Sequence, residues 1–280
     1  MELTRLTGGL DFGEGPRWRD DRLYYSDFYQ HAVFSVTAEG KRSVHVEIED
    51  QPSGLGWLPD GDLLIVAMRS KQLLRFDGQR TTPHADLSQL APGLCNDMVV
   101  SASGHAYVGN FGFDFEAGDA PRPTCLIHVD PGGEAERVDG ELNFPNGSVI
   151  TPDGRTLIVG ESMGGRYTAF DIADDGSLSG QRVWAPVLGI VPDGCVLDAE
   201  GAIWFSDAGP GQAVIRVAEG GEILERRPTP DPTFACMLGG EDGRTLFVLT
   251  APGPSRELAA GKGAGAIWTT RVAAPGAGLP

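Results

Sequence analysis

The sequence predicts an all-β chain folded as a six-bladed β-propeller with four-stranded antiparallel blades. Three observations lead there. A strand, tight turn, strand pattern recurs six times along the 280 residues. Its step lies in the range of propeller blades, which run at about 40 to 50 residues. No stretch carries the 3.6-residue apolar period of an amphipathic helix. The copies open at Glu14, Ser53, Asn96, Asn146, Asp193 and Ala235. The residues that follow these openings, Gly15, Gly54, Asp97, Gly147, Gly194 and Cys236, are spaced by 39, 43, 50, 47 and 42 residues. Six such units account for the whole chain, read as a single domain over residues 1–280.

Each copy has the same internal order. In the fourth, "NGSVITPDGRTLIVGES", an apolar run opens at Asn146, turns at Pro152-Asp153-Gly154 and returns as a second run. Asp-Gly between apolar runs is a hairpin signal. Asn146-Gly147 looks like a second turn, but "SVI" between two tight turns is too short for a meander, so Asn146 is the entrance of a strand. Asn146 also begins a formal Asn-Gly-Ser glycosylation acceptor. The first copy is "EGPRWRDDRLYYSD" from Glu14, the second "SGLGWLPDGDLLIVA" from Ser53 and the third "NDMVVSASGHAYVGN" from Asn96. The fifth is "DGCVLDAEGAIWFSD" from Asp193 and the sixth "ACMLGGEDGRTLFVLT" from Ala235. The N-terminal "LTRLT" is expected to form the outer strand of the last blade, closing the ring and removing free edges.

Bulk properties bound the partners. The formal net charge of −17 argues against nucleic acid and anionic membrane, which need a basic face. No apolar run approaches the ~20 residues that span a bilayer. Met1 is followed by "ELTRLTGGLDFGEGP", without a basic start or an apolar core, so no signal peptide is visible and a cytoplasmic protein is expected. Cys95, Cys125, Cys195 and Cys236 form no Cys-x-x-Cys pair and read as reduced, mostly buried thiols. His45, His84, His105 and His128 lack metal-ligand spacing. The partner expected is a small-molecule substrate; nothing in the sequence sets an oligomeric state.

The hairpins return the chain, so the six opening positions converge on one mouth of the central channel. Glu14, Asn96, Asn146 and Asp193 carry oxygen donors there, while Ser53 and Ala235 are small. The plain alternative is that Asn and Asp cap turns at strand entrances. Four at one repeat phase point instead to a cation, since clustered carboxylates repel and buried amides need partners. An all-oxygen set calls for one hard dication, Ca2+ first, with Mg2+, Mn2+, Zn2+ and Fe2+ as alternatives.

Other positions are expected around the same mouth. Asp27, Arg69, Glu161 and Asp207 stand at second-strand ends. Arg69 suits a substrate carboxylate. Asp27, Glu161 and Asp207 are candidates for supporting the ligands or touching substrate. Tyr29, His31 and Tyr167 are weaker loop candidates. After the second strand of the third copy comes "NFGFDFEAGDAPRP", in which Phe111, Phe113 and Phe115 alternate and would share one side of an extended loop. Either they pack as a small satellite core or they wall the cation.

The motifs "GEGPRW" (13–18), "ND" (96–97), "PNGSVITPDGRTL" (145–157), "PDGCVLDAEGAIW" (192–204) and "FACMLGGEDGRTLFV" (234–248) make the chain resemble the senescence-marker-protein-30/gluconolactonase/luciferin-regenerating-enzyme family over essentially its full length. The resemblance implies a six-bladed propeller with one divalent cation in its channel. It implies Glu14, Asn146 and Asp193 as direct ligands, Asn96 beside them, lactone hydrolysis, and Asp193 as a candidate general base. Sugar lactonases of this family tend to carry an arginine two residues before the asparagine matching Asn96; here that position is Leu94. With the Phe-rich loop, Leu94 argues for a hydrophobic or aromatic lactone. A carboxylate bound to a dication is a poorer base. Proton transfer therefore falls either to the free oxygen of Asp193 or to a rim acid such as Glu161. Two alternatives accompany hydrolysis: metal-assisted isomerisation, dehydration or cyclisation of a carbonyl metabolite, and a non-catalytic binding propeller.

Overall fold

The computed structural model describes residues 2–114 and 117–279. Its strands form six four-stranded sheets, each antiparallel and each blade-like, around a central channel. The inner strands are Gly13–Arg19, Pro52–Trp57, Cys95–Val100, Pro145–Ile150, Pro192–Leu197 and Thr233–Gly239. Each carries the repeat position expected to face the channel within its first three residues, and each pairs with the strand that follows it in sequence. The N-terminal strand Thr4–Leu10 pairs with Gly265–Arg271 and completes the last blade. One short helix, Arg256–Ala259, interrupts the all-β pattern.

Every inner strand is bulged near its entrance. In the fourth blade Pro145 opposes Glu161 and Ser148 opposes Val159, so the inner strand carries one extra residue. The same offset separates Glu14 from Arg17, Pro52 from Leu55, Cys95 from Met98 and Pro192 from Cys195. A bulge bends the strand and re-aims the side chains beside it. Here it turns the second residue of the strand into the channel. The strands then meet almost backbone to backbone at the axis. A Cβ on Gly147 would lie 2.4 Å from the Asp193 carbonyl oxygen, which is why the residue after Asn146 has no side chain.

Packing between blades supplies the core. Blades four and five, for example, share Val149, Ile158, Tyr167, Phe205 and Ile215, with the Tyr167 and Phe205 rings 5.5 Å apart. At the face opposite the bulges the C-terminal segment crosses three blades: Ala277 N donates to Leu197 O, and Leu279 pairs with Ile150. All four cysteines are buried thiols. No helix among the described residues is long and apolar enough to cross a membrane.

Candidate active site

The bulged ends of the inner strands surround a cavity of about 710 Å³ at the channel mouth. Glu14, Asn96, Asn146 and Asp193 form its floor, each less than one-tenth exposed. Their orientations follow from the hydrogen bonds. Ser162 Oγ donates its one proton to Pro192 O at 2.7 Å, so it can only accept from Asn146, at 3.0 Å. The accepting contact fixes Nδ2 of Asn146 toward Ser162 and leaves Oδ1 for the channel. Ser53 Oγ donates to Asn96 Oδ1 at 3.3 Å and occupies one of its two lone pairs.

The two floor carboxylates are poorly compensated. Burial holds the Glu14 carboxyl well above the ordinary carboxylate range, and the nearby charges of Asp193 and Asp97 add to this. Burial pushes Asp193 up to about 8, helped by Asp97 and only partly opposed by the Gly194 N–H and the Asn146 amide. Oδ1 of Asp193 is buried and has no hydrogen-bond partner. Asp97 itself is paired with the buried Arg17 at 3.2 Å. Two desolvated carboxylates, one with an orphaned oxygen, and an amide oxygen aimed beside them fit a hard dication, whose charge would offset both acids. Among the described residues no three His, Cys, Asp or Glu side chains converge, so the donor set is two acids and two amides. The softer imidazole and thiolate ligands of zinc are missing from it.

The walls come from two further repeat positions. Two residues before five of the six opening positions stand Phe12, Gln51, Leu94, Phe144 and Val191, and all five line the cavity. Each stands immediately before its inner strand begins and lines the cavity beside the floor. Immediately after the second strands come Phe28, Met68, Phe111, Ser162 and Ala208, which also line it. Phe12 packs 5.0 Å from Phe28 and 4.6 Å from Phe234 on one side. Phe111 stacks on Phe144 at 4.4 Å on the other. Phe144 has a φ of +60°, a left-handed conformation costing roughly 1–3 kcal/mol in a bulky residue. The stack on Phe111 and the bond from Ser162 N to Phe144 O, at 3.0 Å, hold it there.

Several expected site residues sit elsewhere. Glu161 is fully buried and spent. Its Oε1 accepts from Arg166 Nε at 2.6 Å and from Thr168 Oγ1, and its Oε2 accepts from Asn143 N at 2.8 Å. Asp27, also fully buried, accepts from the backbone of Asp11, Phe12 and Gln30. Asp207 does the same for Val191 and Gly209. These acids fasten the loop that enters their own blade and do not line the cavity. The cause is a one-residue offset: successive strand residues point to opposite sides, so the lining position is the next one, Phe28, Ser162 or Ala208. Phe113 is likewise buried beneath the wall, 6.2 Å from Phe144, and Phe115 lies outside the described residues. Tyr167 is a buried core ring. Leu94 and Arg69 do line the cavity, and Arg69 Nε donates to Gln51 Oε1 at 2.9 Å.

Six bulged inner strands that bring acids and amides to one channel mouth define a propeller with a polar floor under an aromatic vestibule. The chain belongs to the SMP-30/gluconolactonase/LRE-like family, whose model matches residues 12–252. It is similar to the pentonolactonase of Haloferax volcanii, at 28% identity over 99% of this chain and 96% of the relative. Among solved structures, it is similar to a luciferin-regenerating enzyme, with a TM-score of 0.81 at 20% identity, covering 97% of this chain and 95% of that one. It is also similar to a calcium-binding protein, regucalcin, of Agrobacterium tumefaciens, with a TM-score of 0.80 at 23% identity, covering 97% and 94%.

Proposed function

We propose that this chain is a cation-dependent hydrolase that opens a lactone with a hydrophobic or aromatic body. The observation that carries the reading is the orphaned Asp193 oxygen beside Glu14 at the floor of a cavity walled largely by aromatic and aliphatic side chains. Family membership and the pentonolactonase relative support lactone chemistry. The walls support the choice of lactone. A sugar lactone would bury several of its hydroxyls against Phe12, Phe111, Phe144 and Leu94, side chains that offer no hydrogen-bond partner.

Glu14, Asn146 and Asp193 would hold the cation, with the open lone pair of Asn96 beside them. A dication bound there supplies Lewis acidity toward the lactone carbonyl. The aromatic walls orient the acyl ring over the floor and exclude all but the reacting water. Asp193 would accept the proton of that water on its carboxylate. The water oxygen bonds to the acyl carbon, the ring C–O bond breaks, and the proton passes to the departing alkoxide. The product is an open-chain hydroxy acid. Glu161 has no free oxygen for this work. Glu161→Gln is therefore expected to cost ~1–3 kcal/mol of stability through the lost Arg166 pairing. The pH profile of turnover should keep its shape, which rate measurements from pH 5 to 9 would check.

The test has two parts. Elemental analysis of protein purified without a histidine tag or chelator should find about one hard dication per chain, as this four-oxygen floor requires. Aryl- and alkyl-substituted γ-lactones should be opened with a higher kcat/KM than pentonolactones. Absence of any bound or stabilising dication, together with no lactone opened, would remove the proposal. The dry walls also suit elimination or isomerisation on the same floor. Oxygen-18 water separates these, since only hydrolysis carries the label into the product carboxylate.

A further inference from the structure

The mouth of the cavity carries a charge that the rest of the molecule does not explain. The chain has 39 acidic residues against 22 lysines and arginines, and the cavity floor holds two more carboxylates than cations. Most arginines of such a chain find an acid, as Arg75, Arg166, Arg216, Arg227 and Arg271 do. Arg256 lines the cavity mouth and, among the described residues, has neither an ion pair nor a side-chain hydrogen bond. Its guanidinium lies over the Tyr29 ring, 5.9 Å from the centroid. Its neighbour Glu257 also reaches the rim, but adjacent helical residues do not face each other, and no pair forms between them.

Arg256 is held in place by its surroundings. It stands on the segment joining the second and third strands of the last blade. Tyr29 Oη donates to Pro254 O at 2.8 Å on one side of it. On the other, the Asp11 carboxylate accepts from Gly261 N at 2.7 Å and Gly263 N at 2.8 Å. Ala259 is buried in the same cluster as Phe12, Phe28 and Phe234. The aromatic wall thus fixes the backbone that presents the guanidinium.

We infer that Arg256 recognises a carboxylate on the substrate. The lactone is then an amphiphile: cyclic ester at the floor, aromatic or aliphatic body between the walls, and carboxylate at the mouth. The inference rests on reading the cavity as the lactone site. A planar guanidinium pairs with a carboxylate through two parallel hydrogen bonds. In a molecule of net charge −17 a local cation at the cavity mouth favours the entry of an anion. Tyr29, whose ring the guanidinium overlies, gives it a cation–π partner at the mouth.

The test uses γ-butyrolactone bearing a 4-(carboxymethyl)phenyl group and its neutral primary amide. The wild type is expected to prefer the acid at least tenfold in kcat/KM. Arg256→Met should erase the preference through KM, with kcat for the acid changing less than threefold, and Arg256→Glu should invert it. Arg80→Met, in a turn on the opposite face, should keep it. The cyclopentanone analogues of both compounds have no ester bond, and calorimetry reads their binding without turnover. If the acid analogue binds at least tenfold tighter and Arg256→Met abolishes this while no lactone is opened, anion recognition stands and the hydrolase reading alone falls. If lactones are opened but acid and amide react alike, or the preference survives Arg256→Met, the role of Arg256 is overturned and hydrolysis stands. If neither analogue binds, the inference is likewise overturned.

Discussion

Asp193→Asn is expected to lower lactone turnover by at least a thousandfold and to weaken calcium binding by at least tenfold. The substitution keeps the shape of the side chain but removes its charge and its capacity to take a proton. A second signature separates this from mere misfolding. In chelator-treated protein the Asp193 carboxyl, pushed up to about 8 by burial and by Asp97, retains a proton that the unfolded chain has already released. The native state therefore binds more protons between about pH 4 and 8, and stability falls as pH rises through that range. Four pH units of this kind are worth on the order of 5 kcal/mol. Glu14, also raised, acts in the same direction. Thermal melts of the metal-free protein at pH 5, 7 and 9 should show the midpoint dropping. Asp193→Asn should flatten the slope, and saturating calcium should flatten it in the wild type, because a paired carboxylate no longer resists ionisation. A metal-free wild type that melts higher at pH 9 than at pH 5 would contradict this account of the floor.

The floor was legible because propeller blades repeat. Glu14, Asn96, Asn146 and Asp193 share one phase with an unmistakable hairpin turn after each, and the phase alone brings them to one mouth. The walls were partly legible by the same logic. Leu94 stands out two residues before Asn96, and Phe12, Phe144 and Val191 occupy the equivalent place in their own copies. That ring of positions was there to be read. The strand-end acids misled because a repeat phase says which end of a blade a residue reaches, not which side its carboxylate takes. Asp27, Glu161 and Asp207 turn back to accept backbone N–H groups, and their successors face the cavity. The left-handed Phe144 had no signal at all. The contacts that accompany its backbone conformation, the Phe111 ring and the Ser162 N–H, come from outside its own segment, where no local pattern encodes them.

Arg17 ties the inner strands together at the channel, and its removal is expected to be strongly destabilising. It is 4% exposed and bonds three blades together. Nη1 donates to Pro16 O, Nε to Leu55 O, and Nη2 to Met98 O and Asp97 Oδ1. Arg17→Met would leave three carbonyls short of a donor and a third buried carboxylate without a cation, next to Glu14 and Asp193. Breaking a buried pair in this way costs about 3–5 kcal/mol. In a chain of this size each kcal/mol moves the midpoint by roughly 2–4 °C, so a fall of about 10 °C is expected. Asp97→Asn in the same chain should recover part of the loss, because the stranded charge is gone while the lost carbonyl bonds are not. Calcium should also raise the midpoint of Arg17→Met more than that of the wild type, since Asp97 then adds its full charge to the cation's surroundings. If the second substitution restores nothing, the carbonyl bonds rather than the charge pair hold the inner strands together. If calcium lifts both proteins equally, Arg17 has no part in setting the affinity of the floor.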